Sequence, residues 1–121
     1  MRNVNVLKVD KDCVVPENWI QDYISVVLTV CKWFGVSVIS IGACKSRMKG
    51  LHFYIEIAPS VEPEVANRLQ WLIGDDCQRV DFNRARIESG LDCWNKLFEV
   101  AGRRLRTIYG TQQHSLRNTA Y

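Results

Sequence analysis

Between Leu51 and Ile57 apolar and polar residues alternate without a break: Leu51, Phe53, Ile55 and Ile57 fall on one side, His52, Tyr54 and Glu56 on the other. A period of two is the mark of a strand with one face in a core and the other turned away from it. A basic turn containing a glycine, Lys45-Ser46-Arg47-Met48-Lys49-Gly50, leads into that run. The expectation is a hairpin strand that carries a histidine, a tyrosine and a carboxylate in a row on an open sheet face.

The neighbouring segments fit a sheet built around this strand. Val4 to Val9 is apolar and β-branched and leads into Asp10-Lys11-Asp12, a strand ending in carboxylates. Pro16 suits a first helical turn. Trp19/Ile20, Tyr23/Ile24, Val27/Leu28 and Cys31/Phe34 then recur at helical spacing up to Gly35. Val36 to Ala43 is the next strand. Ser60-Val61-Glu62-Pro63-Glu64 opens a second helix, with Val65, Leu69, Leu72 and Ile73 on its apolar stripe and Gly74 at its end. Gln78 to Arg84 alternates again, with Val80 and Phe82 opposed to Arg79, Asp81 and Asn83, and predicts a fourth strand. Leu91, Trp94, Phe98, Ala101, Leu105 and Ile108 predict a C-terminal helix.

The resulting order is β-α-β-β-α-β plus a helix, an α+β ferredoxin-like (RRM-like) sandwich in residues 1–109, with 110–121 as a flexible basic tail. One domain is what 121 residues allow. Five cysteines, at 13, 31, 44, 77 and 93, form no C-x-x-C pair, which argues against a zinc site or disulfide framework and for a reducing, cytoplasmic setting. Ile24 to Cys44 carries a single charge over 21 residues. That charge, Lys32, falls mid-span, where insertion costs about 2.5–3.5 kcal/mol; a buried helix and strand are expected there, with no membrane partner.

Charge is unevenly distributed. Residues 1–66 carry seven basic and seven acidic side chains, residues 67–121 nine and six, and beyond residue 102 there are four arginines and no acid. A basic, acid-free end suits a polyanion. In the expected topology β-strands one and three are central neighbours, so Asp10, Asp12, His52 and Asp81 converge on the open face. Carboxylates crowded together are usually kept so by a divalent cation, here magnesium or manganese bound through oxygen.

The order of these residues resembles the core of the archaeo-eukaryotic primase superfamily, which includes the polymerase domain of bacterial ligase D. Its motifs would be Val6-Leu7-Lys8-Val9-Asp10-Lys11-Asp12, Gly50-Leu51-His52 and Val80-Asp81, with Gly50 where the family usually has serine. The resemblance implies metal-dependent nucleotidyl transfer in replication or repair. Asp10, Asp12 and Asp81 would hold the metal, and His52 would contact the phosphates of an incoming nucleotide. Lys45, Ser46 and Lys49 would line the phosphate path, with Arg79 and Arg84 as further phosphate ligands. His52-Phe53-Tyr54 also resembles half of the histidine motif of rolling-circle replication initiators, which would make Tyr109 the nucleophile on DNA.

A third expectation is non-catalytic: Tyr54 and Arg79 on an open sheet, with Arg84, Arg86 and the basic tail, would hold single-stranded nucleic acid. Nucleic acid, DNA in preference to RNA, and nucleotides are the expected partners, and the C-terminal helix offers a homodimer seam.

Overall fold

Apolar β-branched residues between Val4 and Val9 form β1 (Val4–Lys11), the first element of the computed structural model, which describes residues 1–47, 49–97 and 104–110. Helix α1 (Trp19–Trp33) follows and ends at Phe34 and Gly35, the latter at φ 73°. That left-handed conformation is one a glycine adopts without steric cost. Strand β2 (Ser37–Lys45), strand β3 (Leu51–Val61) and helix α2 (Pro63–Leu72) come next, each within a few residues of its expected place.

Strands β1 and β2 both pair antiparallel with β3, which lies between them. The β1-α1-β2 unit is therefore a split βαβ, and the class is α+β. Helices α1 and α2 cover one sheet face. Leu7, Val9, Ile41, Ala43, Phe53, Ile55 and Ile57 meet Tyr23, Ile24, Val27, Cys31, Ala66, Leu69 and Ile73 in the main core. No described helix is long and apolar enough to cross a membrane.

The second half departs from expectation. Residues 77–88 form helix α3 (Cys77–Glu88), where Gln78 to Arg84 predicts a strand. The alternation is genuine, but a stronger local signal overrides it. Gly74 takes φ 99° after α2, and the Asp76 carboxylate accepts a hydrogen bond from the Arg79 N–H as an N-cap. The buried positions of α3 are Val80 and Asn83, with Ile87 packed against the core, a spacing of three and four residues. Because a polar asparagine occupies the middle of that stripe, it is inconspicuous as a helical pattern.

The expected C-terminal helix is also replaced. Residues 91–97 form no helix, and β4 (Arg106–Gly110) pairs antiparallel with β2. Thr107, Ile108 and Tyr109 are residue types that favour strands over helices. The strand order is β1-β3-β2-β4, so β1 is an edge strand and not a central one. A dimer seam along residues 91–108 loses its helix, and its members Phe98 and Ala101, like the tail 111–121, lie outside the described residues.

The second sheet face is not open. Trp94 is buried in the main core, whereas Leu97 joins Val6, Cys44 and Tyr54 in a smaller cluster on the opposite face, with Leu105 packed beside it. Chain therefore passes the sheet's border between Trp94 and Leu97. His52, Tyr54 and Glu56, expected on a free face, are only 4%, 2% and 6% exposed. Gly42 permits this covering, since a Cβ there would stand 2.9 Å from Leu105 Cγ.

Gly50 matters for a harder reason: a Cβ at that position would overlap the backbone carbonyl oxygen of Lys11. Replacing it with alanine has to move backbone. Gly50→Ala is expected to lower stability by about 2 kcal/mol or more, in the overpacking range, read as a fall in the urea midpoint at unchanged slope. Gly42→Ala should cost less, because a side chain can give way there. Equal and negligible effects at both positions would contradict the backbone contact.

Candidate functional site

Antiparallel register decides which polar residues meet on the second face. Asp10 on β1 stands opposite His52 on β3, and Cys44 on β2 stands opposite His52 from the other side. The His52 Nε2 atom lies 3.5 Å from Asp10 Oδ1, an outer-limit contact with the imidazole almost wholly buried. β1 ends at Lys11, so Asp12 follows in exposed backbone at the same end of the sheet.

The groups opening onto this pair form a cleft of about 210 Å³, lined by Asp10, Asp12, Ser46, Arg47, His52, Arg79, Phe82, Arg86, Lys96 and Leu97. Three elements converge on it: the end of β1, the β2–β3 turn, and one face of α3. The turn is braced by two bonds, the Gly50 N–H donating to Ser46 Oγ at 2.9 Å and the Ser46 N–H donating to the Gly50 carbonyl at 3.0 Å. Ser46 is thereby committed to shaping the turn.

Arg79 is the hub of the α3 side. Its Nε donates to Asp75 Oδ1 at 3.0 Å and Oδ2 at 3.2 Å. Its Nη2 donates to the Lys8 carbonyl at 3.1 Å and to Asn95 Oδ1 at 3.0 Å, and its Nη1 to the Lys96 carbonyl. Asp75, 4% exposed, also accepts from the N–H groups of Asp10 and Asp76, both at 2.9 Å. Gln70 adds an acceptor for the Lys8 N–H at 3.0 Å and exchanges hydrogen bonds with Asn95. Buried polar groups are tolerated when partnered in this way.

Burial pushes the Asp10 carboxyl up to about 6, reinforced by Asp12 and opposed by the Arg79 charge. The Asp75 carboxyl is also raised by burial, against the charge and hydrogen bonds of Arg79 and the backbone bonds that pull it down. Asp10 therefore holds its proton to a higher pH than an exposed aspartate does.

The structure brings together Asp10, Asp12, Ser46, His52 and Arg79 from the expected residues. Others lie elsewhere. Asp81 belongs to α3 and its side chain is 74% exposed, 3.3 Å from Arg84 Nη1. Arg84 lines a separate cavity between α2 and α3. The set Asp10, Asp12 and Asp81 is accordingly not a metal centre here: the third carboxylate was placed on the sheet by a strand that is a helix. Among the described residues no three His, Cys, Asp or Glu side chains are arranged to hold a metal ion. The donor set implied for magnesium or manganese does not fit.

Lys45 lines a neighbouring cleft, and Lys49 is exposed on the turn. Tyr109 belongs to β4, opposite Ile41, where a C-terminal helix was expected, and does not line the Asp10–His52 cleft. Tyr54 is buried, so stacking on an open sheet is also excluded.

The cleft includes residues the alternation concealed. Arg79, Phe82 and Arg86 are spaced by three and four, so they share one face of α3. Reading 78–84 as helical would have exposed that row. Arg47, Lys96 and Leu97 carry no periodic signal, and only the tertiary fold brings them in. No known protein family, curated protein or solved structure matches the chain.

Two outcomes are expected. Arg79→Met should destabilise the protein by about 3–5 kcal/mol, since Asp75 is left buried without its cation; chemical denaturation measures it, and a loss below about 1 kcal/mol contradicts the hub role. The raised Asp10 value means that ionising this carboxyl opposes folding. Its contribution is fully present below the ordinary value of 3.8 and is lost as pH rises through about 6. Asp10→Asn should therefore gain on the unmodified protein between pH 4 and 7, by about 1–2 kcal/mol after solvent screening. Melting curves at pH 4, 5.5 and 7 test this, and a variant losing ground over that range contradicts it.

Proposed function

We propose that this protein binds nucleic acid through the end of the sheet where the β2–β3 turn, the end of β1 and α3 meet. The observation that carries the reading is the joining of two basic clefts at one turn. Lys45 lines a cleft of about 350 Å³ with Arg104, Arg106, Ala43, Cys44 and Leu51, and among the described residues lining it there is no acid. The next residues, Ser46 and Arg47, line the Asp10–His52 cleft with Arg79, Arg86 and Lys96. Cations thus run around the turn from one cleft to the other, a track for successive phosphates.

Support also comes from the placement of Asp10, Asp12 and His52 in a single cleft, as the primase-core resemblance expects of those three. Nucleotidyl transfer through three metal-bound carboxylates forms no part of the proposal, because Asp81 is outside the cleft. A binding domain needs only charge, shape and exposed contact groups, and those are present. Asp10 and Asp12 then tune the cleft: near neutrality a carboxylate beside a phosphate weakens it, and protonation of Asp10 relieves that repulsion.

Fluorescence anisotropy with a labelled oligonucleotide tests the reading. Affinity should fall steeply as salt rises, and Arg47→Ala and Lys96→Ala should each reduce the slope of log K against log salt by about 0.7. Both side chains are exposed, so folding should be kept. Absence of salt-dependent binding by the unmodified protein would overturn the proposal.

A further inference from the structure

Phe82 is 60% exposed, although it belongs to a helix whose neighbouring positions 80 and 83 are buried. Isolated exposed apolar residues are ordinary on protein surfaces. This one differs in its surroundings. Among the described residues lining the Asp10–His52 cleft it is the one phenyl, phenol or indole ring, and it is flanked on the same helix face by Arg79 and Arg86. The Arg86 guanidinium carbon lies 5.8 Å from the ring centroid. Arg86 bonds to Asn83 Oδ1 and the Trp94 carbonyl through Nη1, which orients its planar fork beside the ring. Arg47 and Lys96 place two more cations on the same cleft.

A flat apolar ring set among cations matches one repeating chemistry, that of a base between phosphates. Double-stranded nucleic acid turns its phosphates outward and hides its base faces in the stack, so it can satisfy the cations but not the ring. An unpaired strand offers both, and aromatic side chains beside basic grooves are the usual means of holding one. An acidic peptide would meet the cations, yet its carboxylates offer no flat face to the ring, and Asp10 and Asp12 on the same cleft oppose a carboxylate as they oppose a phosphate.

We propose that Phe82 is a base-stacking platform and that the ligand of the cleft is a single-stranded nucleic acid, one unpaired base lying on the ring and its flanking phosphates reaching Arg47, Arg86 and Lys96. This rests on the reading of the cleft as a nucleic-acid site and narrows it to unpaired strands. Phe82 makes no contribution to the main core, so its removal spares the fold.

The test compares a labelled oligothymidylate, an abasic strand of equal length, a duplex of equal length and inorganic polyphosphate. The unmodified protein should bind oligothymidylate more tightly than the abasic strand or the duplex. Phe82→Ala should weaken oligothymidylate binding by about 5- to 150-fold, as stacking of about 1–3 kcal/mol per base implies, and leave polyphosphate binding unchanged. Phe82→Trp should retain the affinity. If Phe82→Ala has no effect, or weakens polyphosphate as much as oligothymidylate, the platform is overturned while polyanion binding stands. A preference for the duplex also overturns it. If the unmodified protein binds none of the four, the underlying nucleic-acid reading falls with it.

Discussion

The outer edge of β1 is the constraint on which the rest of this structure depends. With β4 on the far side of β2, β1 has no strand beyond it among the described residues, and its outward N–H and C=O groups need partners. Side chains supply them. Gln70 accepts from the Lys8 N–H, Arg79 donates to the Lys8 carbonyl, and Asp75 accepts from the Asp10 N–H. Three residues from α2, the inter-helix turn and α3 thus stand where a fifth strand would have run. This arrangement holds α3 against the sheet border, and with it the face that carries Arg79, Phe82 and Arg86. The cleft is a by-product of closing an edge.

Covering both faces of the sheet has a second effect. Tyr54, whose ring would have been a stacking surface on an open sheet, becomes part of a small core with Val6, Cys44 and Leu97. The clefts consequently lie at the end of the sheet and not over its middle. There the strands give out, turn backbone comes close, and long basic side chains reach solvent while their stems pack. His52 and Asp10 mark the boundary between the two regimes: the imidazole belongs to the interior, the carboxylate partly to the cleft.

Five of the seven elements among the described residues were legible in the sequence because their signals were local. β-branched alternation marked the first three strands, helical spacing marked α1 and α2, and Gly35 and Gly74 marked their ends. Residues 78–84 misled because the period-two contrast of Val80 and Phe82 with Arg79, Asp81 and Asn83 is also compatible with a helix burying Val80 and Asn83. The helical stripe from Leu91 to Ile108 misled because its first members serve different layers, Trp94 lying in the main core while the chain three residues on has reached the other face. The Asp10, Asp12 and His52 grouping followed from the pairing of β1 with β3, which holds although β1 lies at the edge and not at the centre of the sheet. The Asp75–Arg79 hub left no trace in any pattern, since Arg79 meets backbone 71 residues away at Lys8.

The close approach of Gly50 to the Lys11 carbonyl has a consequence for recognition. It fastens the β2–β3 turn to the end of β1 by backbone against backbone, with no intervening side chain to swing. Arg47 and Asp12 lie on either side of that junction. With no room between the two backbones, little slack separates their anchoring points. For the single strand proposed above such a mouth would be already shaped, so little conformational freedom would be lost in forming the complex and more of the contact energy would survive as affinity. On the proposed reading, a glycine with no functional group of its own would act on binding through entropy.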